Sequence, residues 1–329
     1  MLDIRNTVNA IAERVQAHEI SPGNYARFLW QNSINSRQMG TNSYGCADAA
    51  NILYTLGQLP GDPVLRHAHV TTLQGLQNPK TGHFPEPTHH DIHTTAHCVA
   101  ALELFDAKPL HPLHELLPYR DIQTFFDWME REDWLHLGRM AHVGAGLLAA
   151  LVLTEAVDLQ WVNNYFHWFD RHCDPDSGLW RKLPADKFPL YMQVGDAFHY
   201  LFNYAHFRKP FPHPEALIDT CLEMPHNGTL PENFAKQFHF IEMDWAYCLN
   251  RASRQTPHRF YEVKEVLRQL AETMVAFLSN VDWETNEGAN DLHLLFGTTC
   301  CLAELQQALP GEILSEKPLR LVLDRRPFI

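Results

Sequence analysis

One recurring pattern constrains the fold of this chain more than any other feature. It is a turn, then a short extended segment, then a helix that is apolar on nearly all sides. The first clear copy covers residues 82–105, and related copies cover residues 178–204, 228–249 and 288–305, the last with a shorter extended segment. Internal repeats fix an architecture, because each unit buries its apolar face only against its neighbours. The repeats predict helical hairpins whose apolar helices begin at a common mouth.

Six apolar helices are predicted to alternate with six charged, amphipathic helices along the whole chain. The apolar helices are predicted at residues 46–56, 91–105, 137–156, 194–207, 240–252 and 291–309. The amphipathic helices are predicted at residues 6–18, 64–76, 114–132, 160–172, 215–222 and 258–278, and a further short helix at 25–32. A helix that is apolar all round is buried inside a larger assembly.

The fold class predicted from this alternation is all-α. Strand patterns are nearly absent, so we expect one domain over residues 1–329, a ring of six hairpins with apolar helices inside and amphipathic helices outside. A plain helical solenoid is the alternative, but there is no terminal helix pair with a polar outer cap, which favours a closed ring. Residues 311–329 are predicted to be an extended tail, either a strand or a strap.

Net charge argues against two classes of partner, and cysteine usage indicates the cellular compartment. The net charge of -13 with neutral histidines argues against nucleic acid and against anionic membranes. No stretch approaches the length of an apolar membrane span, and the first residues lack the pattern of a secretory signal. The seven cysteines are scattered without a CxxC pair, which is typical of reduced thiols in a cytoplasmic protein.

Five acidic residues fall at similar depths near the starts of apolar helices: Asp48, Asp91, Asp196, Asp244 and Asp291. Carboxylates that converge on one apolar funnel perturb each other's pKa, so that one is held protonated and another ionised, as glycoside hydrolysis needs. We predict Asp91, Asp196 and Asp244 as catalytic residues, with Asp196 and Asp244 as the best pair. The alternative for each aspartate is a helix N-cap.

Histidines and aromatic residues supply the predicted substrate contacts. The substrate-binding candidates are His89, His90, His93, Trp180, Tyr191, His199, Phe240, Glu242, Trp245, Asp291 and His293. His90, His93 and His97 would share one helix face and could hold Zn²⁺ or another divalent metal. The leading prediction nevertheless includes no cofactor, because HExxH and compact Cys/His zinc spacings are absent. His142, His199 and His293 lie on other apolar helices and are predicted to be structural. The alternative for His199 and His293 is to orient a carboxylate or to donate to the substrate.

Two turns and one helix resemble parts of a known superfamily. The turns at residues 78–84 (NPKTGHF) and 174–180 (DPDSGLW) are similar to those that precede inner helices in unsaturated uronyl hydrolases and related sugar enzymes. The segment TTAHCVAALEL at residues 94–104 resembles inner helices of prenyltransferase-type repeats. The chain therefore resembles the α/α six-hairpin toroids, which include glycoside hydrolases, uronyl hydrolases, terpene cyclases and prenyltransferase β-type subunits.

The resemblance implies a funnel lined by the starts of the inner helices, with the active site inside it. The cyclase and prenyltransferase branches fit less well, because DxDD, DDxxD and the D-x-C of a prenyltransferase-like zinc site are absent. We expect a carbohydrate-active enzyme that acts on a glycan or oligosaccharide by carboxylate acid/base catalysis. The alternatives are a non-catalytic toroid that binds a peptide, lipid or protein, and a metal-dependent or isoprenoid-type enzyme.

Overall fold

The computed structural model describes residues 1–31, 37–131, 137–180 and 188–328, with the backbone alone for 137–140. Most of these residues are helical. The helices are α1 (Arg5–Ala17), α2 (Ser43–Thr55), α3 (Pro63–Gly75), α4 (Asp91–Glu103), α5 (Ile122–Arg131), α6 (Leu137–Leu153), α7 (Leu159–His172), α8 (Leu190–His206), α9 (Pro214–His226), α10 (Ile241–Ser253), α11 (Phe260–Asn280), α12 (Glu287–Asn290), α13 (Leu292–Ala308) and α14 (Val322–Arg325). The all-α prediction is confirmed.

Six helices form the buried centre, and they are the ones predicted to be apolar all round. Helix α2 packs against α4, α4 against α6, α6 against α8, α8 against α10, α10 against α13, and α13 against α2. This succession of contacts returns to its starting helix. All but one residue of α10 is buried, and α2, α4 and α13 are almost as enclosed.

The amphipathic helices pack on the outside of these six. Helix α3 contacts α2 and α4, α9 contacts α8 and α10, and α11 contacts α10 and α13. Each buries a single stripe, which in α11 consists of Val263, Leu267, Leu270, Met274 and Leu278. That spacing places the apolar residues on one face, as expected of a helix with one side in water.

The turns at residues 78–84 and 174–180, which resemble those of uronyl hydrolases, have the same backbone hydrogen bonds. In the first, the N–H of Asn78 donates to the carbonyl of His83 and the N–H of Gly82 to that of Asn78; Asp174, Leu179 and Gly178 repeat the pattern. Gly82 and Gly178 have φ of 84° and 70°, a conformation that favours glycine. A side chain at either glycine would also collide with a neighbouring segment. The repeat in sequence is therefore a repeat in local structure.

The strands are short and form two separate two-stranded sheets. β1 (Leu2–Asp3) pairs in parallel with β4 (Ile313–Leu314), while β2 (Glu19–Ser21) pairs antiparallel with β3 (Asn24–Tyr25). The helix predicted at 25–32 was wrong: β3 begins this segment, and Ala26 and Phe28 form isolated bridges with Thr41 and Asp291. Pairing with distant segments overrides the local helical pattern here.

The tail after β4 turns inward. Its segment 319–323, predicted to be a strand or strap, runs into helix α14, which packs against both α2 and α8. Beyond α14, Arg326 and Phe328 are fully buried; Arg326 hydrogen-bonds Asn51 of α2, and Phe328 packs on Phe202 of α8. Among the described residues, no helix is long and apolar enough to cross a membrane.

Candidate functional site

A cluster of five imidazole rings lies among the six central helices. His89 precedes α4, and the other four are His93 on α4, His142 on α6, His199 on α8 and His293 on α13. Ring centroids are 4.3 Å apart for His93 and His142, 4.6 Å for His142 and His199, and 5.1 Å for His89 and His293. Side chains separated by up to two hundred residues thus meet in one place.

Three of these rings form a three-histidine group, His93, His142 and His199. One ring nitrogen from each lies within 4.8 Å of the others. The Nδ1 of His199 donates to the carbonyl of Gly195 at 2.7 Å, so Nε2 of this neutral ring keeps its lone pair. The Nδ1 of His93 forms a hydrogen bond with the hydroxyl of Tyr44. Such bonds fix the orientation of metal-ligating imidazoles.

The electrostatics of the three-histidine group favour neutral rings. Burial lowers the pKa of His199 to about 4 and holds those of His93 and His142 well below the usual value, with neighbouring imidazoles adding to the effect. His93 is buried, whereas His142 and His199 are only half-buried. The group therefore consists of uncharged imidazoles, two of which belong to half-buried residues.

A second set, the aspartate group, consists of Asp48 on α2, His97 on α4 and His293 on α13. Asp48 Oδ1 lies 2.8 Å from His97 Nε2 and 3.1 Å from His293 Nδ1. Burial opposes ionisation of Asp48, but the two imidazoles outweigh it and lower the pKa of the carboxyl. Its other oxygen is buried without a hydrogen-bond partner among the described residues.

Asp196 on α8 and Asp244 on α10 form a carboxyl pair. Asp244 Oδ2 lies 2.9 Å from the position that a Cβ on Gly195 would take, so only glycine leaves room for it beside Asp196. Each carboxyl has one buried oxygen without a partner among the described residues. Burial raises both pKa values well above the usual range, and Asp196 and Glu242 raise that of Asp244 further. This is the pattern expected of a carboxylic acid that stays protonated near neutral pH.

Arg27 anchors the edge of the cluster through buried ion pairs. Its guanidinium contacts Asp291 at 2.9 and 3.0 Å and Glu86 at 3.1 Å. Glu86 in turn hydrogen-bonds Thr88, and His89 stacks on Tyr44 with ring centroids 4.4 Å apart. These contacts fix the segment that leads into α4. Asp291 also accepts from the backbone of His293, so it is both an ion-pair partner and the N-cap of α13.

The face of α4 predicted to hold His90, His93 and His97 is divided among three environments. His90 is the N-cap of α4, where its side chain accepts from the backbone N–H of Ile92. His93 belongs to the three-histidine group and His97 to the aspartate group. Asp91, predicted to be catalytic, is exposed in the first turn of the same helix.

The aromatic candidates fall into two sets. Phe240 packs on His293 at 4.5 Å and so borders the cluster. Trp180 and Trp245 are buried against outer helices, where their indole N–H groups donate to the carbonyls of Phe169 on α7 and Cys221 on α9. Tyr191 is half-buried in the first turn of α8. The structure therefore brings Phe240 to the cluster and directs both tryptophans away from it.

Glu242, another candidate, sits on α10 near the carboxyl pair. It is fully buried, and one oxygen accepts from the backbone of Ala235 at 2.8 Å. Burial raises the pKa of its carboxyl. Glu242 thereby holds the segment that leads into α10 and acts on Asp244 through its charge.

Sequence reasoning missed three contributors to this region: Tyr44, Arg27 and Phe328. Tyr44 contacts four histidine rings, and Phe328 lies 4.9 Å from His93. Arg27 falls in the segment mistaken for a helix. No local pattern marks Tyr44 or Phe328, although Tyr44 lies four residues before Asp48, on the same face of α2.

Comparison with known proteins provides no relative that would carry a function to this chain. No family model matches it, and no curated protein or solved structure matches it significantly. The likeness of its turns and apolar helices to α/α toroid enzymes therefore stays a resemblance, without a family assignment.

Proposed function

We propose that this chain is an enzyme with an α/α toroid fold, which uses a divalent metal bound by His93, His142 and His199 to hydrolyse a small polar substrate. The single observation that carries the proposal is the convergence of three imidazole nitrogens within 4.8 Å of one another. Imidazole nitrogens bind zinc at about 2 Å.

The chemistry of the donors supports a catalytic site. Three neutral imidazoles suit Zn²⁺ and neighbouring transition metals, and catalytic zinc sites use three protein ligands with a position left for water or substrate. The half-buried edges of His142 and His199 are consistent with such an open position. A metal held by these three histidines would supply a bound water of lowered pKa and would polarise the bond to be cleaved.

The carboxyl pair supplies a proton donor close in sequence to the metal ligands. Asp196 lies one turn before His199 on α8, with a buried oxygen that has no partner among the described residues. A carboxyl kept protonated by burial can donate to a leaving group, the role that hydrolysis requires of a general acid.

The first test is metal content. We expect protein purified without chelator to contain a divalent transition metal by mass spectrometry. His142→Gln should lose the metal of the three-histidine group while its far-UV circular dichroism stays native. His167→Gln, an exposed histidine on α7, is the matched control and should keep the wild-type content. Unchanged metal content in both His142→Gln and His199→Gln would exclude the three-histidine group as a ligand set.

A carbohydrate-active enzyme that works through Asp196 and Asp244 alone is the second candidate, favoured by the close approach of Asp244 to the backbone beside Asp196. Acid/base hydrolysis of glycosides needs two carboxyl groups in different protonation states. We expect Asp196→Asn and Asp244→Asn each to remove such activity without loss of fold.

A substrate panel separates the two candidates. It contains nitrophenyl esters, phosphates and glycosides together with neutral and uronic-acid oligosaccharides, each measured with and without chelator. Loss of turnover on chelation and its return with Zn²⁺ support the metal enzyme. Glycoside cleavage that resists chelation but disappears in Asp244→Asn supports the second candidate and overturns the first.

A further inference from the structure

The aspartate group has the composition and convergence of a second metal site. Its three ligand atoms, one carboxylate oxygen and two imidazole nitrogens, lie within 4.8 Å of one another. They come from α2, α4 and α13, three neighbouring central helices, with His97 and His293 lying 49 and 245 residues from Asp48. Two imidazoles and one carboxylate suit Zn²⁺, Fe²⁺ or Mn²⁺.

The carboxylate of Asp48 has no permanently charged partner among the described residues. This carboxylate is fully buried, and no Arg or Lys nitrogen of the described residues forms an ion pair with it. The neighbouring guanidinium of Arg27 is already bound to Glu86 and Asp291. Buried charges are costly unless they are paired or coordinate a metal. The second oxygen of Asp48, buried and without a partner in the described part of the chain, is a further free ligand atom.

The two groups are separated by Tyr44. Its hydroxyl bonds His93 of the three-histidine group, while its ring packs on His97 at 5.0 Å and His293 at 4.6 Å. The aspartate group is also the more enclosed: Asp48 and His97 are fully buried, and His293 is 7% exposed. Structural zinc sites are closed and four-coordinate. With its second carboxylate oxygen, which has no partner among the described residues, the enclosed aspartate group offers four ligand atoms and so favours a structural role.

We infer that Asp48, His97 and His293 bind a second divalent transition metal, which is structural and ties α2, α4 and α13 together. The site is independent of the proposed catalytic metal, and it goes beyond the proposed function. Its occupation joins three helices that are far apart in sequence, so it contributes to closure of the central helices.

Metal stoichiometry tests the inference without any substrate. Protein purified without chelator is analysed for divalent transition metals by mass spectrometry of the digested and of the native protein. We expect two equivalents in the wild type and one each in Asp48→Asn, His293→Gln and His142→Gln. His69→Gln, a buried histidine on α3 outside both groups, controls for general damage and should keep two.

Thermal unfolding provides a second readout. We expect the midpoint to fall by several degrees in Asp48→Asn, because a ligand that binds only the native state stabilises it. His142→Gln, which loses the more open site, should shift the midpoint less. If Asp48→Asn does not fold, the metal content of two other variants still tests the second site. His293→Gln should lose one equivalent, and His142→Gln should keep one.

Each pattern of metal content has one meaning. One equivalent in the wild type that is lost in His142→Gln and kept in Asp48→Asn overturns the second site and leaves the proposed function standing. One equivalent lost in Asp48→Asn and kept in His142→Gln supports the second site and removes the proposed function. Two equivalents kept in both Asp48→Asn and His293→Gln also overturn the inference.

Discussion

The three-histidine group and the aspartate group use the same side chain in opposite surroundings. His142 and His199 are half-buried, and no ion pair among the described residues joins the nitrogens of their group to a carboxylate. Asp48 and His97 are fully buried and bond each other at 2.8 Å. Tyr44 contacts both groups.

The two groups differ in burial and in their carboxylate contacts. We expect this difference to separate a stabilising role from a chemical role. A closed ligand set adds binding free energy to the native state, because the unfolded chain lacks the preformed site. An open set keeps a position for water or substrate. The two groups lie on different sets of helices, the aspartate group on α2, α4 and α13 and the three-histidine group on α4, α6 and α8, so the two proposed roles can be tested separately.

The largest effect on the free energy of unfolding is expected from removing the carboxylate of the aspartate group. Asp48→Ala leaves two buried imidazoles without their common partner, and each buried polar group left unsatisfied costs about 1–3 kcal/mol. His142→Ala, in the open group, should cost roughly 1 kcal/mol or less. Urea unfolding with metal present measures both. Equal losses in the two variants would contradict the assignment of a structural role to the aspartate group alone.

An intermediate effect, on metal affinity, is expected from a change at Tyr44, which contacts both groups. Tyr44→Phe removes the hydroxyl bonded to His93 and keeps the ring against His97 and His293. Because groups that orient metal ligands are worth about 10–100-fold in metal affinity, the open site should bind Zn²⁺ weakly. Competition with a chromophoric chelator measures the affinity. The closed site should keep its metal, and weakening of both sites would show that Tyr44 does not distinguish them.

The carboxyl pair allows a test by pH. Burial raises the pKa of Asp196 and Asp244 above the unfolded value of about 3.9. The native state therefore binds more protons than the unfolded state above that pH, and stability falls as pH rises through the folded pKa values. Asp244→Asn cannot ionise, so it should be more stable than the wild type at neutral pH by on the order of 1 kcal/mol.

Urea unfolding at several pH values between 4.5 and 8 checks this expectation. Asp91→Asn is the control, because Asp91 is exposed and its substitution should leave the pH dependence unchanged. A wild-type pH dependence that persists unaltered in Asp244→Asn would show that this carboxyl is not the group whose ionisation is suppressed.

The smallest effect is expected at His90. The structure makes it a helix cap, and asparagine is among the best N-cap residues. His90→Asn should therefore change the free energy of unfolding by about 0.5 kcal/mol or less. Both metal equivalents should remain, as measured by mass spectrometry of the native protein. Loss of one equivalent would return His90 to the ligand set predicted from sequence.

Local sequence patterns anticipated the helices well and the site only in part. Apolar periodicity placed the six buried helices, because a helix without a polar face has to be enclosed. Similar depth led the sequence analysis to pair Asp196 with Asp244; Asp244 approaches Gly195, the residue next to Asp196, and the catalytic role of the pair stays a prediction. The helix predicted at 25–32 failed, since strand pairing and the ion pairs of Arg27 decide that segment.

The sequence by itself determined the alternation of buried and amphipathic helices and the two glycine turns, because both depend on residues that are near one another in the chain. Only the tertiary structure decided which histidines meet. His93 and His97 share one helix, yet their partners lie on α2, α6, α8 and α13, while His90 caps that helix. Those partners are set by how each helix is rotated in the ring, which depends on packing across the whole molecule and leaves no trace in local spacing.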